Sequence, residues 1–210
     1  LQHFSALGRD ALGGLHVNLI PSDDGLKQDV YTGVMERVRS TLAAEAAELA
    51  ERTASLGRHR RCRLGGAEGE EGADGVLGPD EEEWSAEERK LVSDVTHAEY
   101  AQLLVGLVSR KVVKQPVMTS VYGVTLMGAR DQVKRRLLEL PAFQGDNVDE
   151  RELKMVSLYL ARVTLRSIGE VVRGAFDSMA WLRESARTIA LAGHAVEWES
   201  PLGLPVVQPY

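Results

Sequence analysis

The sequence has little cysteine and few aromatic residues. Cys62 is the one cysteine among 210 residues, which excludes a disulfide framework and a cysteine-rich zinc site. The five histidines lie far apart and show no spacing typical of metal ligands. No apolar run is long enough to cross a membrane, and the first residues lack the basic and apolar regions of a secretory signal. The 44% of hydrophobic residues nevertheless suffices for a substantial core.

The negative charge of the chain is concentrated in one segment. The net charge is −6, yet residues 65–83 contain eight acidic residues and no lysine or arginine. The rest of the chain is therefore mildly basic, which permits contact with nucleic acid without requiring it. Residues 57–84 combine glycine and acid with few large apolar side chains. Such a composition predicts a disordered acidic insert.

The chain on both sides of this insert has the periodicity of α-helices. Residues 25–56 carry an apolar stripe at helical spacing, formed by Val30, Val34, Val38 and Leu42. Ser85 and Glu88 form a capping box that predicts the start of the next helix. A further helix is expected after Gly123 and should end at Pro141.

The last part of the sequence changes from helical to alternating periodicity. Residues 150–193 are long enough for two helices divided near Arg173, and Gly193 suits a C-terminal cap. Trp181 is expected in the core at helical spacing. Residues 194–210 alternate on both sides of the turn sequence SPLG, which predicts a β-hairpin. The predicted fold class is mainly α with a small C-terminal β-hairpin.

The segment RKVVKQPVMTSVYG, residues 110–123, is the clearest candidate for a functional site. As a helix it aligns four side chains along one side, namely Arg110, Lys114, Met118 and Tyr122. The first two would lie about 6 Å apart along the axis, and Lys114 and Tyr122 about 12 Å apart. A triphosphate held by two cations, with its base near the aromatic ring, has roughly that span. Spacing alone leaves open a solvated cationic face beside a packing tyrosine.

Five motifs resemble, in order, segments of one protein family. The sequence RKVVKQPVMTSVYGVT strongly resembles the fingers-helix motif of single-subunit, phage-type DNA-directed RNA polymerases, above all their mitochondrial branch. LQHFSALGRDALGGLHVNLIPSD resembles the segment after the first catalytic aspartate of the palm, and DVYTGVMERV the helix that follows it. MAWLRESARTIA and VEWESPLGLPVVQPY resemble later fingers segments. The resemblance implies the fingers and adjoining palm of a right-hand polymerase fold.

The resemblance also implies roles for residues of the fingers helix. Lys114 would be catalytic and contact the phosphates of the incoming nucleotide, and Arg110 would bind phosphate as well. Tyr122 would sense the ribose 2′-hydroxyl and stack in the site of the incoming nucleotide or of the templating base. Gly123 matches the motif and would let a ligand or the next helix approach the backbone.

Other positions match the family less closely. Tyr31 and His3 fall on family positions near the active site, where each could support the site or be a buried structural residue. Pro116 stands where the family has a small hydroxyl residue, so the helix should either kink there or begin near it. Met127 and Ala129 replace aromatic residues that wedge into DNA in phage members, so strand separation by these side chains is not implied.

The resemblance predicts four regions. These are a palm-adjoining segment with a long helix at 1–56, the disordered insert at 57–84, a helical fingers subdomain at 85–193 and the fingers hairpin at 194–210. The implied cofactor is Mg²⁺, held by palm aspartates outside this chain, which reads as an internal fragment. We interpret the aspartates at 10, 23, 24 and 29 as helix caps or surface acids.

The function that the resemblance implies is nucleotidyl transfer from NTPs in the transcription of organellar DNA. The implied partners are a DNA template, nascent RNA and NTPs, with mitochondrial transcription factors as further candidates and no membrane. The expected location is the mitochondrion, with the plastid as the alternative. The alternative functions are the fingers of a related DNA polymerase and a non-catalytic helical interaction module derived from a degenerate polymerase. The fragment alone should bind NTPs weakly and not polymerise.

Overall fold

The computed structural model describes residues 1–23, 25–49, 51, 53–54, 86–144 and 149–209. The predicted insert at 57–84 and the first residue of the predicted capping box, Ser85, lie outside them. The elements of the described residues are α1 (Gln2–Leu7), α2 (Ala11–His16), α3 (Val30–Ala47), α4 (Ala86–Leu104), α5 (Arg110–Ser120), α6 (Leu126–Leu137), a 3₁₀ turn (Pro141–Phe143), α7 (Glu150–Val171), α8 (Arg173–Leu191), β1 (Val196–Glu199) and β2 (Pro205–Gln208). No helix in these ranges is both long enough and apolar enough to span a bilayer.

Helix α3 forms one wall of the core and begins at a capped end. The side chain of Asp29 accepts a hydrogen bond from the backbone amide of Tyr31 at 3.3 Å, which satisfies one of the free amides of the first turn. The predicted stripe is confirmed, since all four of its members are buried: Val30, Val34, Val38 and Leu42. This face packs against α4, α5 and α7.

Helix α7 lies at the centre of the helical bundle. It packs against α3, α5 and α6, and its residues Leu160 and Ile168 are completely buried. Burial of one such side chain stabilises a fold by about 1.5–3 kcal/mol. A single cluster of buried apolar side chains runs from the end of α2 to the start of α8. That cluster fixes the position of α5, the helix that carries the candidate site.

The C-terminal region has the predicted boundaries. Helix α7 ends at Val171 and α8 begins at Arg173, which confirms the division near Arg173. Gly193 follows the end of α8 with a φ of +78°, a left-handed conformation that favours glycine at a helix C-terminus. Strands β1 and β2 pair antiparallel. The fold class, mainly α with a small C-terminal hairpin, is therefore confirmed, whereas the assignment of regions to fingers and palm remains a prediction.

The prediction that Trp181 belongs to the core is wrong. Its residue surface is 69% exposed, and α8 buries only Ala175 among its residues. Helix α8 packs on α1, α2, the end of α7 and β1, and these contacts leave much of its length uncovered. Helical spacing predicts which residues share a face, but it does not show whether another element covers that face.

Asp10 joins the start of the chain to α8. One carboxylate oxygen accepts from the backbone amide of Gly13, which caps α2, and the other accepts from the amide of Gly174, both at 2.8 Å. The interpretation of Asp10 as a helix cap is thus confirmed. A Cβ atom on Gly174 would lie 2.5 Å from the Cβ of Asp10. The two segments can therefore approach this closely only because position 174 has no side chain.

Candidate functional site

Helix α5 runs from Arg110 to Ser120 with Pro116 inside it. Of the two predicted alternatives, a helix that begins near Pro116 is excluded, because the helix begins six residues earlier, at Arg110. Proline has no amide to donate to the carbonyl of Val112 and crowds that turn. Pro116 is buried between the buried residues Val113 and Val117. Pro116 would disfavour an isolated helix, but here the face of α5 that carries it is packed against the core.

The predicted stripe lies on the exposed side of α5. Arg110, Lys114 and Met118 are all exposed, and Tyr122, just beyond the helix, is 87% exposed. The opposite side is buried and consists mainly of valines. Arg110, Lys114 and Met118 therefore lie on a solvent-facing side of α5, with the exposed Tyr122 just beyond its end, where a ligand can reach them.

Gly123 has a backbone role in the turn after α5, while the approach of a ligand to its backbone remains a prediction. Its φ is +77°, so the residue turns the chain from α5 towards α6 in a conformation that favours glycine. A Cβ atom at this position would meet no atom within 4 Å. Within the described residues no helix approaches its backbone that closely, so its positive φ is the feature that requires glycine.

Arg110 is held in a fixed place by two residues at the start of α3. Its Nε donates to Oδ2 of Asp29 at 2.6 Å, and its Nη2 donates to Oδ1 at 3.3 Å. The guanidinium carbon lies 4.8 Å from the centre of the Tyr31 ring, within the range of a cation–π contact. The hydrogen bond from Arg110 is the main reason that the pKa of Asp29 falls from 3.8 to about 2, while burial opposes the shift.

An open cleft lies beside this cluster. Its volume is about 450 Å³, and its walls come from the N-terminal segment, the start of α3 and the end of α5. Asp29, Tyr31, Met118 and Tyr122 line it. Clefts of this size accommodate small-molecule ligands. The structure therefore brings both tyrosines of the predicted site to one cavity.

Four predicted residues lie outside the cleft lining, namely Arg110, Lys114, Gly123 and His3. Lys114 is exposed one turn beyond Arg110 and forms no ion pair with the part of the chain that the structure describes. His3 is exposed on α1 and does not line the cleft, although its neighbour Gln2 does. The roles of Lys114 and His3 in a reaction remain predictions.

Asp29 is the site residue whose connection to Arg110 the sequence analysis missed. Its role as the cap of α3 is confirmed, but its bond to Arg110 spans 81 residues of sequence. The one local signal was its position two residues before Tyr31 at a helix start. Nothing in the spacing within either helix predicts that the two helices bring these side chains together.

The described residues do not fit a magnesium site. No three histidine, cysteine, aspartate or glutamate side chains come together in these ranges in a way that could hold a metal ion. Asp10 and Asp29 instead cap helices and accept further hydrogen bonds.

Comparison with known proteins identifies the family. The family model described as DNA-dependent RNA polymerase matches residues 1–210, so the chain belongs to that family. It is 39% identical over its full length to "DNA-directed RNA polymerase 1, mitochondrial" of Nicotiana sylvestris. It is 40% identical to "DNA-directed RNA polymerase 2A" of Nicotiana tabacum and 40% identical to "DNA-directed RNA polymerase 2, chloroplastic/mitochondrial" of Nicotiana sylvestris. The chain spans 16%, 49% and 16% of these three relatives, respectively.

Proposed function

We propose that this chain is the part of an organellar DNA-directed RNA polymerase that binds the incoming NTP and the template. The observation that carries the proposal is the exposed row of Arg110, Lys114 and Tyr122 beside the tyrosine-lined cleft. The family membership supports transcription as the parent activity. The names of similar proteins support the mitochondrion as the location, with the plastid as the alternative.

The two cations would act on the phosphates of the NTP. Lys114, exposed and without an ion pair among the described residues, would neutralise charge that develops on the α-phosphate and the pyrophosphate leaving group. Arg110 would bind phosphate oxygens through its planar fork. The two residues are one turn apart, about 6 Å along the helix axis, which suits neighbouring phosphates of one triphosphate.

Tyr122 would select the sugar. Its ring is exposed at the edge of the cleft, 87% accessible, and its hydroxyl can pair with a ribose 2′-hydroxyl. A deoxyribonucleotide would leave that polar contact unmade, which disfavours it. A wild-type preference for dNTPs in primer extension would favour the alternative of a related DNA polymerase.

Replacement of Lys114 tests the proposal in the full-length polymerase that contains this chain. We expect Lys114→Ala to lower kcat for NTP incorporation about 100-fold or more, with the affinity for DNA changed less than about twofold. The matched control is Lys90→Ala, which removes an exposed lysine of α4 outside the cleft lining. Equal effects of the two variants would contradict the proposal. An inactive wild-type polymerase would favour the non-catalytic module.

A further inference from the structure

We propose that Asp29 is a positioning residue of the nucleotide site, which holds one edge of the Arg110 guanidinium and leaves the other edge for phosphate. The proposal rests on the proposed function, because it takes Arg110 as a phosphate ligand. Nothing in the family resemblance assigns a role to Asp29. The inference comes from the bond between Asp29 and Arg110.

The geometry of the bond leaves donors available. A guanidinium group has five N–H donors in one plane. Asp29 takes the Nε–H through Oδ2 and one Nη2–H through Oδ1. Two donors on Nη1 and one on Nη2 remain, and together they can bind two oxygens of a phosphate group. Arg110 can therefore bind Asp29 and phosphate at the same time.

Two contacts restrict the guanidinium in different directions. The carboxylate of Asp29 fixes its orientation within its own plane, while the ring of Tyr31, 4.8 Å away, packs against it. The side chain of Arg110 is otherwise 49% exposed, so without these contacts it would sample many rotamers. Ordering it before the ligand arrives reduces the entropy lost on binding.

The carboxylate of Asp29 is itself held by the first turn of α3. It accepts from the amide of Tyr31 at 3.3 Å and from the hydroxyl of Thr32 at 2.7 Å. Helix α3 in turn is anchored by its buried stripe. The guanidinium of Arg110 is therefore anchored, through Asp29, to a helix of the core.

Charge and geometry predict opposite effects when Asp29 loses its charge. The carboxylate offsets part of the positive charge of Arg110, so its removal raises the attraction for a triphosphate. Salt weakens that gain, because the Debye length is about 10 Å at 0.1 M ionic strength, whereas salt does not affect the loss of a fixed orientation. At physiological salt we expect the loss of orientation to dominate.

The test measures NTP incorporation by the full-length polymerase with Asp29→Asn. Asparagine still caps α3, but it cannot form the charge-assisted pair with Arg110. We expect KM for NTP to rise about three- to tenfold, with kcat within about twofold, because binding rather than chemistry is affected. Asp29→Ser, which also caps a helix but is too short to reach Arg110, should show the same change if Asp29→Asn folds poorly.

Two controls separate positioning from a general structural effect. In an Arg110→Ala background, Asp29→Asn should cause no further rise in KM, because the residue through which it acts is absent. Asp149→Asn changes the cap of α7, which accepts from the amide of Arg151 outside the cleft. That variant should leave KM unchanged.

The outcomes distinguish this inference from the proposed function. An unchanged or lower KM in Asp29→Asn overturns the positioning role, as does an equal rise in the Arg110→Ala background. If Arg110→Ala itself leaves KM unchanged, Arg110 is not a phosphate ligand and both proposals for that residue fail. If Lys114→Ala also has no effect, the proposed nucleotide site as a whole is wrong.

Discussion

At the scale of single residues, the carboxylate of Asp29 connects two helices through one ionised group. It caps α3 and pairs with Arg110 of α5. The pKa of Asp29 is about 2 in the folded protein, below its ordinary value of 3.8. Folding therefore favours the ionised form of this side chain, and the pairing makes a contribution to stability that depends on pH.

The sign of that dependence gives a prediction. Because the folded pKa is the lower one, the contribution is fully present above about pH 4 and is lost as the pH falls towards 2. The pair is partly exposed, so we expect it to contribute at most about 1 kcal/mol, or roughly 2–4 °C in Tm. The fall in Tm of the wild type between these pH values should exceed that of Asp29→Asn by this amount. Arg110→Ala should behave like Asp29→Asn, and identical falls in all three proteins would contradict the assignment.

The sequence predicted the site through residues that belong to one helix. Arg110 and Lys114 share a side because an α-helix repeats every 3.6 residues, and both are exposed on α5, with the exposed Tyr122 just beyond its end. The pair of Arg110 with Asp29 depends on how α5 packs against α3, 81 residues away in sequence. No local pattern contains that information, so the sequence suggested a cap and missed its partner.

At the scale of helices, the stripe of α3, the cap at Gly193 and the hairpin followed from local rules of periodicity and backbone conformation. The position of Pro116 inside a helix and the exposure of Trp181 did not follow from these local rules. Pro116 lies within α5, whose inner face is packed in the core, and Trp181 is exposed because little covers α8. Both depend on tertiary packing, which a repeating pattern in one segment does not specify.

The contact of Asp10 with the start of α8 gives a prediction at the same scale. Gly174→Ala would place a Cβ atom 2.5 Å from that of Asp10 and force the two segments apart. We expect the free energy of unfolding to fall by about 1–3 kcal/mol, measured by urea denaturation followed by circular dichroism. The matched control is Gly169→Ala in α7, where a Cβ atom meets nothing within 4 Å.

The control variant should not lower the free energy of unfolding as Gly174→Ala does. Alanine is about 0.5–1 kcal/mol more favourable than glycine inside a helix, so Gly169→Ala should leave stability unchanged or raise it. A loss of stability in Gly169→Ala as large as in Gly174→Ala would show that the close approach of Gly174 to Asp10 is not the cause.

At the scale of the whole molecule, burial is distributed unevenly. Helix α7 contributes many residues to the core, whereas α8 buries only Ala175 and neither strand of the hairpin contains a buried residue. Segments with few buried apolar contacts open locally at a lower free energy than that of global unfolding. The outer part of α8 and the hairpin should therefore be the less stable end of the described chain.

Hydrogen exchange tests this distribution. We expect amides in the middle of α7, around Leu160, to exchange about 100-fold or more slowly than amides of α8 beyond Trp181, since a difference of about 3 kcal/mol in opening free energy corresponds to that ratio. The measurement is amide exchange followed by mass spectrometry of peptides from each helix. Comparable protection in the two helices would show that α8 is stabilised by contacts other than those described.

The bond from the Gly174 amide to Asp10 also bears on the order in which the chain folds. It joins positions 164 residues apart, and contacts of such high sequence separation require closure of a long loop. The helices that form the core, α3 to α7, lie between those positions and can associate first. The N-terminal segment that docks afterwards supplies one wall of the cleft, including His16 and Asn18. We therefore expect the proposed ligand-binding surface to be among the last parts of this chain to assemble.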